Sequence, residues 1–287
     1  MRVNLIYFSQ TKNTYQIAKA IAKGIENKGG KVILYNWLEL RGQSPDRFIQ
    51  ECDLFGIGMP VFFYQAPWFI QEWLKSSSKF TEKPYFLFMS YAVIIGNAFR
   101  DVDNILRKKG LSLIGHEAFL GFGSYQAYLE LPRLAIQYPD VYEDMKAKQF
   151  GERQIVNYVC WKNNRRNFLT RPQKASFFWR KKSFFLTKKI MNFISPQFKV
   201  NKDKCNGCGA CAKNCPDEAI ELKNGTPVFN GNCSRCYFCE KNCPQKAIIN
   251  DWGDFRKKAI RYYNAYPDNL KAWKELDGLN TKHPKHI

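Results

Sequence analysis

Over its first 160 residues the chain switches repeatedly between short apolar runs and apolar stripes of helical period. Val3–Phe8 is a strand-length apolar run. Ile17, Ala18, Ile21, Ala22 and Ile25 then share one face of a helix predicted over Tyr15–Lys28 and stopped by Gly29-Gly30. The same reading gives strands over Lys31–Trp37, Asp53–Val61, Pro84–Ser90 and Leu111–Phe122. It gives helices over Pro67–Ser76, Asn97–Lys109 (stopped by Gly110) and Tyr138–Trp161. Five strands alternating with helices predict an α/β, doubly wound, five-stranded parallel sheet covered on both faces. In such sheets ligands bind beyond the carboxyl ends of the strands.

Beyond that region the rhythm is lost and cysteine spacing takes over. Cys205, Cys208, Cys211 and Cys215-Pro216 form C-x2-C-x2-C-x3-C-P, and Cys233, Cys236, Cys239 and Cys243-Pro244 repeat it. Eight of the ten cysteines lie in these runs. This is the spacing of bacterial two-cluster ferredoxins, in which thiolates hold two 4Fe–4S cubes. Cysteines three apart reach different irons of one cubane, and the Pro after the fourth turns the chain away. That fourth thiolate therefore belongs to the other cluster. The expected ligand sets are Cys205, Cys208, Cys211 and Cys243 for one cluster, and Cys233, Cys236, Cys239 and Cys215 for the second. Structural zinc favours separated C-x2-C pairs, which this pattern lacks. A disulfide framework needs an oxidising compartment, and the N-terminus shows no signal-peptide pattern. A cytoplasmic location is expected. Cys52 and Cys160, outside the repeat, read as buried structural thiols.

The loop after the first strand, Ser9-Gln10-Thr11-Lys12-Asn13-Thr14, runs directly into a helix. Hydroxyl and amide side chains beside free backbone N–H groups at a helix start make an anion cradle. The loop is neither G-x-G-x-x-G nor a Walker loop. It looks like the phosphate loop of flavodoxins, Ser/Thr-x-Thr-Gly-Asn-Thr; plain N-capping by Thr11, Asn13 or Thr14 is the alternative. Lys12 stands where flavodoxins have Gly, and its side chain could crowd a phosphate or supply it with a cation. Two further loops match the flavodoxin positions that sandwich an isoalloxazine ring. The first holds Pro60, Phe62, Phe63, Tyr64 and Trp68, whose aromatics suit stacking or core packing. The second runs from Ser90 and Tyr91-Ala92 to Gly96 and Asn97, with Tyr91-Ala92 where relatives carry a Gly pair.

On these motifs the chain resembles the fused flavodoxin–ferredoxin electron-transfer proteins of anaerobes, over residues 1–125 and 199–251. The resemblance implies FMN, two 4Fe–4S clusters and single-electron transfer to a redox partner. It implies a flavodoxin-like FMN-binding domain over 1–162 and a small α+β, two-cluster ferredoxin-like domain over 199–251. A basic, aromatic-containing linker over 163–198 joins them, and a helical tail over 252–287 follows. The alternative is a ferredoxin-type carrier or sensor whose flavodoxin-like half lacks FMN and serves as a docking scaffold.

The formal net charge is +20, from 45 Lys and Arg against 25 Asp and Glu. Residues 151–200 hold twelve Lys and Arg against Glu152 alone, a net +11. An acidic redox partner is the expected counterpart. No run is long and apolar enough for a membrane span. The linker interleaves its basic residues with Phe168, Phe177, Phe178, Trp179, Phe184 and Phe185. Single-stranded nucleic acid or a membrane surface could take such a pattern. The expectation is a solvated basic surface whose aromatics pack the linker onto the two domains, with nucleic acid not a partner. His116, His283 and His286 have no metal-site spacing. No Cys, His or carboxylate constellation for substrate chemistry stands out, so enzymic turnover rests on the flavin alone.

Overall fold

The computed structural model describes residues 1–92, 94–122, 139–167, 169 and 171–264. The strands β1 (Arg2–Tyr7), β2 (Lys31–Asn36), β3 (Leu54–Pro60), β4 (Lys83–Tyr91) and β5 (Leu111–Leu120) pair in the order β2-β1-β3-β4-β5, all parallel. This is the flavodoxin-like doubly wound order. The connecting helices are α1 (Asn13–Asn27), α2 (Asp46–Gln50), α3 (Trp68–Lys75) and α4 (Ala98–Lys108), with α5 (Val141–Lys162) after the last strand. Every strand and long helix read from the sequence is present, with ends shifted by three residues or fewer. The short α2 and a 3-10 turn over Trp37–Leu40 carry too few periodic positions to be read.

Side chains alternate across each strand, so the sheet separates two cores. Ile6, Phe8, Ile57, Leu87 and Met89 pack against Phe69, Ile70, Val102 and Leu106 of α3 and α4. Val3, Leu5, Phe86 and Phe88 pack against Ile17, Ile21, Ile25, Ala147 and Phe150 of α1 and α5. Double coverage explains the near-continuous apolar strands.

The cysteine-rich unit is small and α+β. Strand β6 (Phe198–Val200) pairs antiparallel with β9 (Ile248–Asn250), and β7 (Ile220–Lys223) with β8 (Thr226–Phe229). One-turn helices α8 (Ala210–Lys213) and α9 (Phe238–Lys241) carry Cys211 and Cys239, the third cysteine of each run.

Three expectations change. The linker folds into α6 (Phe177–Phe185) and α7 (Lys188–Ile194). Its aromatics do not pack inward as expected: Phe177 is 76% and Phe184 78% exposed. Cys52 is buried, but Cys160 is half-exposed. The tail opens with α10 (Gly253–Asn264), beside Trp252, which packs on Tyr237 at 4.5 Å between ring centroids. The tail beyond it, with His283 and His286, and Phe168 of the linker lie outside the described residues. His116 packs edge-on to Phe99.

Candidate redox site

The loop from Ser9 to Lys12 lies where β1 ends and α1 begins, at the carboxyl edge of the sheet. Lys12 is the N-cap of α1 with φ +68°, the left-handed region that favours glycine. Its side chain is exposed and does not line the adjoining cavity, so the backbone keeps the loop's shape while the ammonium points to solvent. Thr14 Oγ1 and Ser90 Oγ are 2.7 Å apart in a buried pair that ties this loop to the end of β4. Asn13 Nδ2 donates to the Phe122 carbonyl at 3.1 Å. Ser9 Oγ is buried and has no hydrogen-bond partner among the described residues. A buried, unpaired hydroxyl at a helix N-terminus fits an anionic oxygen as its acceptor.

The loop after β3 makes a tight turn. Phe62 and Gln65 exchange backbone hydrogen bonds, both of 3.0 Å. Phe63 and Tyr64 between them have φ of +49° and +66°, a conformation costly for aromatic residues and stored where the surroundings hold it. Those surroundings are specific. Asn97 N donates to the Tyr64 carbonyl at 2.8 Å, and Ser183 Oγ donates to it at 3.3 Å. Gln65 Nε2 reaches the Leu186 carbonyl at 2.8 Å. The Asp101 carboxylate accepts from Ala66 N at 3.3 Å and from Asn97 Nδ2 at 2.7 Å. Gly96, at φ +59°, passes so close to the Tyr64 backbone that any side chain would overlap it. Gly96 and Asn97 thus brace the turn and do not line the cavity. Trp68 likewise stands back, stacked on Phe63 at 5.7 Å.

A cavity of about 760 Å³ opens between these loops and the C-terminal half. Gln10, Thr11, Asn13 and Thr14 line one end. Pro60, Phe62, Phe63, Tyr64, Ser90, Tyr91 and Ala92 line the flavodoxin-like wall, together with Val61, Ile94, Gly121 and Phe122, which sequence reasoning had not singled out. The opposite wall was also missed: Lys182, Leu186 and Met191 from the linker helices, Arg235, Cys236 and Lys241 from the cysteine-rich unit, and Phe255 and Lys258 from α10. No spacing along the chain signals that assembly. Among the described residues no Asp or Glu lines the cavity. Burial lowers Lys182 to about 7 and Lys241 to about 8, the latter opposed by the nearby Cys236 sulfur. Lys182 sits 4.6 Å over the Tyr64 ring. Arg235 is already committed, donating to Asn192 and to the Pro196 carbonyl.

The repeat cysteines gather in two groups. Cys205, Cys208, Cys211 and Cys243 surround one small cavity with Gly207 and Gly209, both left-handed at φ +70° and +71°. Cys215 and Cys233 share a buried cluster against which Cys239 packs, and Cys236 lies beside them facing the large cavity. Backbone N–H groups already point at sulfur: Ala219 N to Cys215 Sγ at 3.3 Å, Arg235 N to Cys233 Sγ at 3.3 Å, and Ala247 N to Cys243 Sγ at 3.2 Å. Burial pushes the Cys233 thiol up to about 11 and raises Cys211, Cys215 and Cys239 as well. A bound metal cluster displaces such protons and holds the groups as thiolates. Among the described residues no group of three or more His, Cys, Asp or Glu is set to hold a single metal ion. Four thiols round a common cavity, with N–H donors aimed at sulfur, fit a multi-iron cluster.

The two halves touch at the site itself. Gln10 Nε2 donates to the Cys236 carbonyl at 3.3 Å. Phe8 meets Phe238 edge-on at 6.4 Å. Arg41 donates to the Lys213 carbonyl at 2.6 Å and to the Cys215 carbonyl. The linker binds both sides, through Ser183 and Gln65 on one and through an ion pair of Lys188 with Asp217, 2.8 Å, on the other. A flavodoxin-like sheet with its loop face closed by a cysteine-rich electron-transfer unit is the class that this fold and site define.

Comparison with known proteins agrees. A model described as "4Fe-4S binding domain" matches residues 198–221, which hold the first cysteine run. A curated flavodoxin of Clostridium saccharobutylicum is 27% identical over 168 residues, 55% of this chain and 98% of that protein. Among solved structures, a flavodoxin from the domain Archaea is 19% identical, covering 55% of this chain and 99% of its own, at a TM-score of 0.40. Flavodoxin 1 from Bacillus cereus is 16% identical over 55% of this chain and 97% of its own, at 0.41. The chain joins a flavodoxin-like N-terminal unit to a 4Fe–4S domain. Its arrangement fits the fused flavodoxin–ferredoxin type of electron-transfer protein.

Proposed function

We propose that the chain is an electron-transfer flavo-iron–sulfur protein holding FMN and two 4Fe–4S clusters, serving an acidic redox partner. The observation that carries this reading is that Cys236 of the second cysteine group and Gln10, Thr11, Asn13 and Thr14 of the anion loop line one cavity. When bound, the flavin exchanges electrons singly or in pairs, while each cluster passes one.

The chain's own residues divide the work. Ser9, Thr11 and the first N–H groups of α1 hold the phosphate. Phe62, Tyr64 and Tyr91 flank the ring. Cys205, Cys208, Cys211 and Cys243 hold one cluster, and Cys233, Cys236, Cys239 and Cys215 the other. Cys208 is exposed, so the first cluster is the port for the partner and the second faces the flavin. Buried Tyr237 and Phe238 keep water from the second. The segments 1–162, 163–198 and 199–251 act as flavin unit, strap and cluster unit, and α10, at the start of the segment 252–287, covers the cavity with Phe255 and Lys258.

Anaerobic purification followed by iron, sulfide and flavin assays tests the reading. About eight irons and one flavin per chain are expected from the two motifs. Iron without flavin, and no quenching of flavin fluorescence when FMN is added to apo-protein, would leave the docking-scaffold reading in its place.

A further inference from the structure

Helices α6 and α7 use only their inner faces. Ser183 and Met191 are buried, and Lys182 and Leu186 line the cavity. Their outer faces mix exposed aromatic rings with basic residues. Phe177 is 76%, Phe184 78% and Phe193 87% exposed, with Phe185 and Ile190 also well exposed. On α6, Phe177, Arg180, Lys181 and Phe184 follow the i, i+3, i+4, i+7 spacing of one helical stripe. On α7, Lys189 and Ile190 stand four and three residues before Phe193. Arg180, Lys181 and Lys189 are exposed. Residues 153–202 contain no Asp or Glu. Phenylalanine has no polar atom to satisfy in water, so several such rings on one strap are an unfavourable surface unless something covers them.

We propose that this face docks on an anionic lipid surface. Phe177, Phe184 and Phe193 enter the boundary between headgroups and acyl chains, while Arg180, Lys181 and Lys189 meet the lipid phosphates. Two observations favour lipid over a protein. Phe177, Phe184 and Phe193 line neither of the cavities described above, and Phe184 meets its neighbour Phe185 edge-on at 5.6 Å, an exposed apolar surface that suits a fluid apolar phase. The acid-free segment pairs only with anionic groups, and an anionic bilayer presents these directly beside an apolar phase that takes the rings. Among the described residues no helix is long and apolar enough to cross a membrane, so attachment is peripheral.

The test uses the full, iron-loaded chain sedimented anaerobically with vesicles of phosphatidylcholine alone or mixed with phosphatidylglycerol. Binding to the anionic vesicles is expected, weakened at high salt. The triple variant Phe177→Ser, Phe184→Ser, Phe193→Ser is expected to lower partitioning at least about tenfold with iron content unchanged. Arg180→Gln with Lys181→Gln and Lys189→Gln is expected to abolish the preference for phosphatidylglycerol. Absence of vesicle binding, or equal binding by the Phe variant, overturns the proposal. So does a wild-type dimer that the Phe variant loses, which would make the face a contact between copies. Displacement from vesicles by oligo(dT), lost in the Phe variant, would assign the face to single-stranded nucleic acid instead.

Discussion

Lys12 shows how one position can look disabling in sequence and be tolerable in space. Flavodoxins place glycine there, and the left-handed φ of Lys12 supplies the reason. A β-carbon in that region costs about 1–2 kcal/mol, yet the side chain leaves the cavity free. Lys12→Gly should therefore raise stability by about 1 kcal/mol, read as a higher urea midpoint, while FMN affinity is retained; loss of FMN binding would show that the ammonium reaches the phosphate after all. Asp101 gives a second residue-scale prediction. Burial pushes its carboxyl up to about 6, against hydrogen bonds from Asn97 and Ala66 that favour the anion. The folded state thus holds a proton that the unfolded chain releases near pH 4. Stability falls as pH rises from about 4 through 6, and the loss is complete above that window. Urea midpoints of wild type and Asp101→Asn, compared from pH 4 to 8, should diverge in the variant's favour as pH rises. Parallel curves would remove Asp101 as the cause. The repeat cysteines were legible at this scale because cluster chemistry demands local spacing. The direction of the Lys12 side chain was not, because it depends on a backbone angle set by the loop.

Among the elements, helices α1 and α5 cross in close contact, with Gly24 against the Lys148 carbonyl. Gly151 faces the Ile21 carbonyl so closely that a methyl group would overlap it. Gly151→Ala should destabilise the protein by about 2–3 kcal/mol through overpacking, measured as a fall in thermal midpoint. A shift no larger than that of an exposed substitution would mean that the helices can separate freely. The long elements were readable because each has a buried face with a clear period. Helices α6 and α7 were not, since their inner faces bury little beyond Ser183 and Met191. A local signal was present all the same: Thr187 caps α7 by accepting from Ile190 N at 3.3 Å, and hydroxyl residues before short helical stretches mark N-termini. The inward packing expected of the linker aromatics fails for Phe177, Phe184 and Phe185 because the inner face is taken up by Lys182, Ser183, Leu186 and Met191.

For the whole molecule, the decisive contacts join residues far apart in sequence. Arg41, after the 3-10 turn, donates to the carbonyls of Lys213 and Cys215 and so fixes the cysteine-rich unit against the sheet. Arg41→Ala should loosen that docking by about 2 kcal/mol, the worth of hydrogen bonds from a charged donor. Iron content should stay constant while hydrogen exchange rises at Gln10, Phe238 and their neighbours and electron equilibration within the chain slows. Unchanged exchange and unchanged rates would show that Gln10, Lys188 and the Phe8–Phe238 contact suffice. The amino-acid sequence by itself determined the sheet and its helices, the cysteine spacing of the 4Fe–4S domain and the loop between β1 and α1. Each is written in neighbours a few residues apart, through periodicity, caps and ligand reach. Only the tertiary structure decided that Gln10 meets Cys236, that Gly96 braces a turn and lines nothing, and that four cations wall a cavity shared by both halves. Those are matters of which surfaces are buried against each other, and burial is a property of the packed chain as a whole.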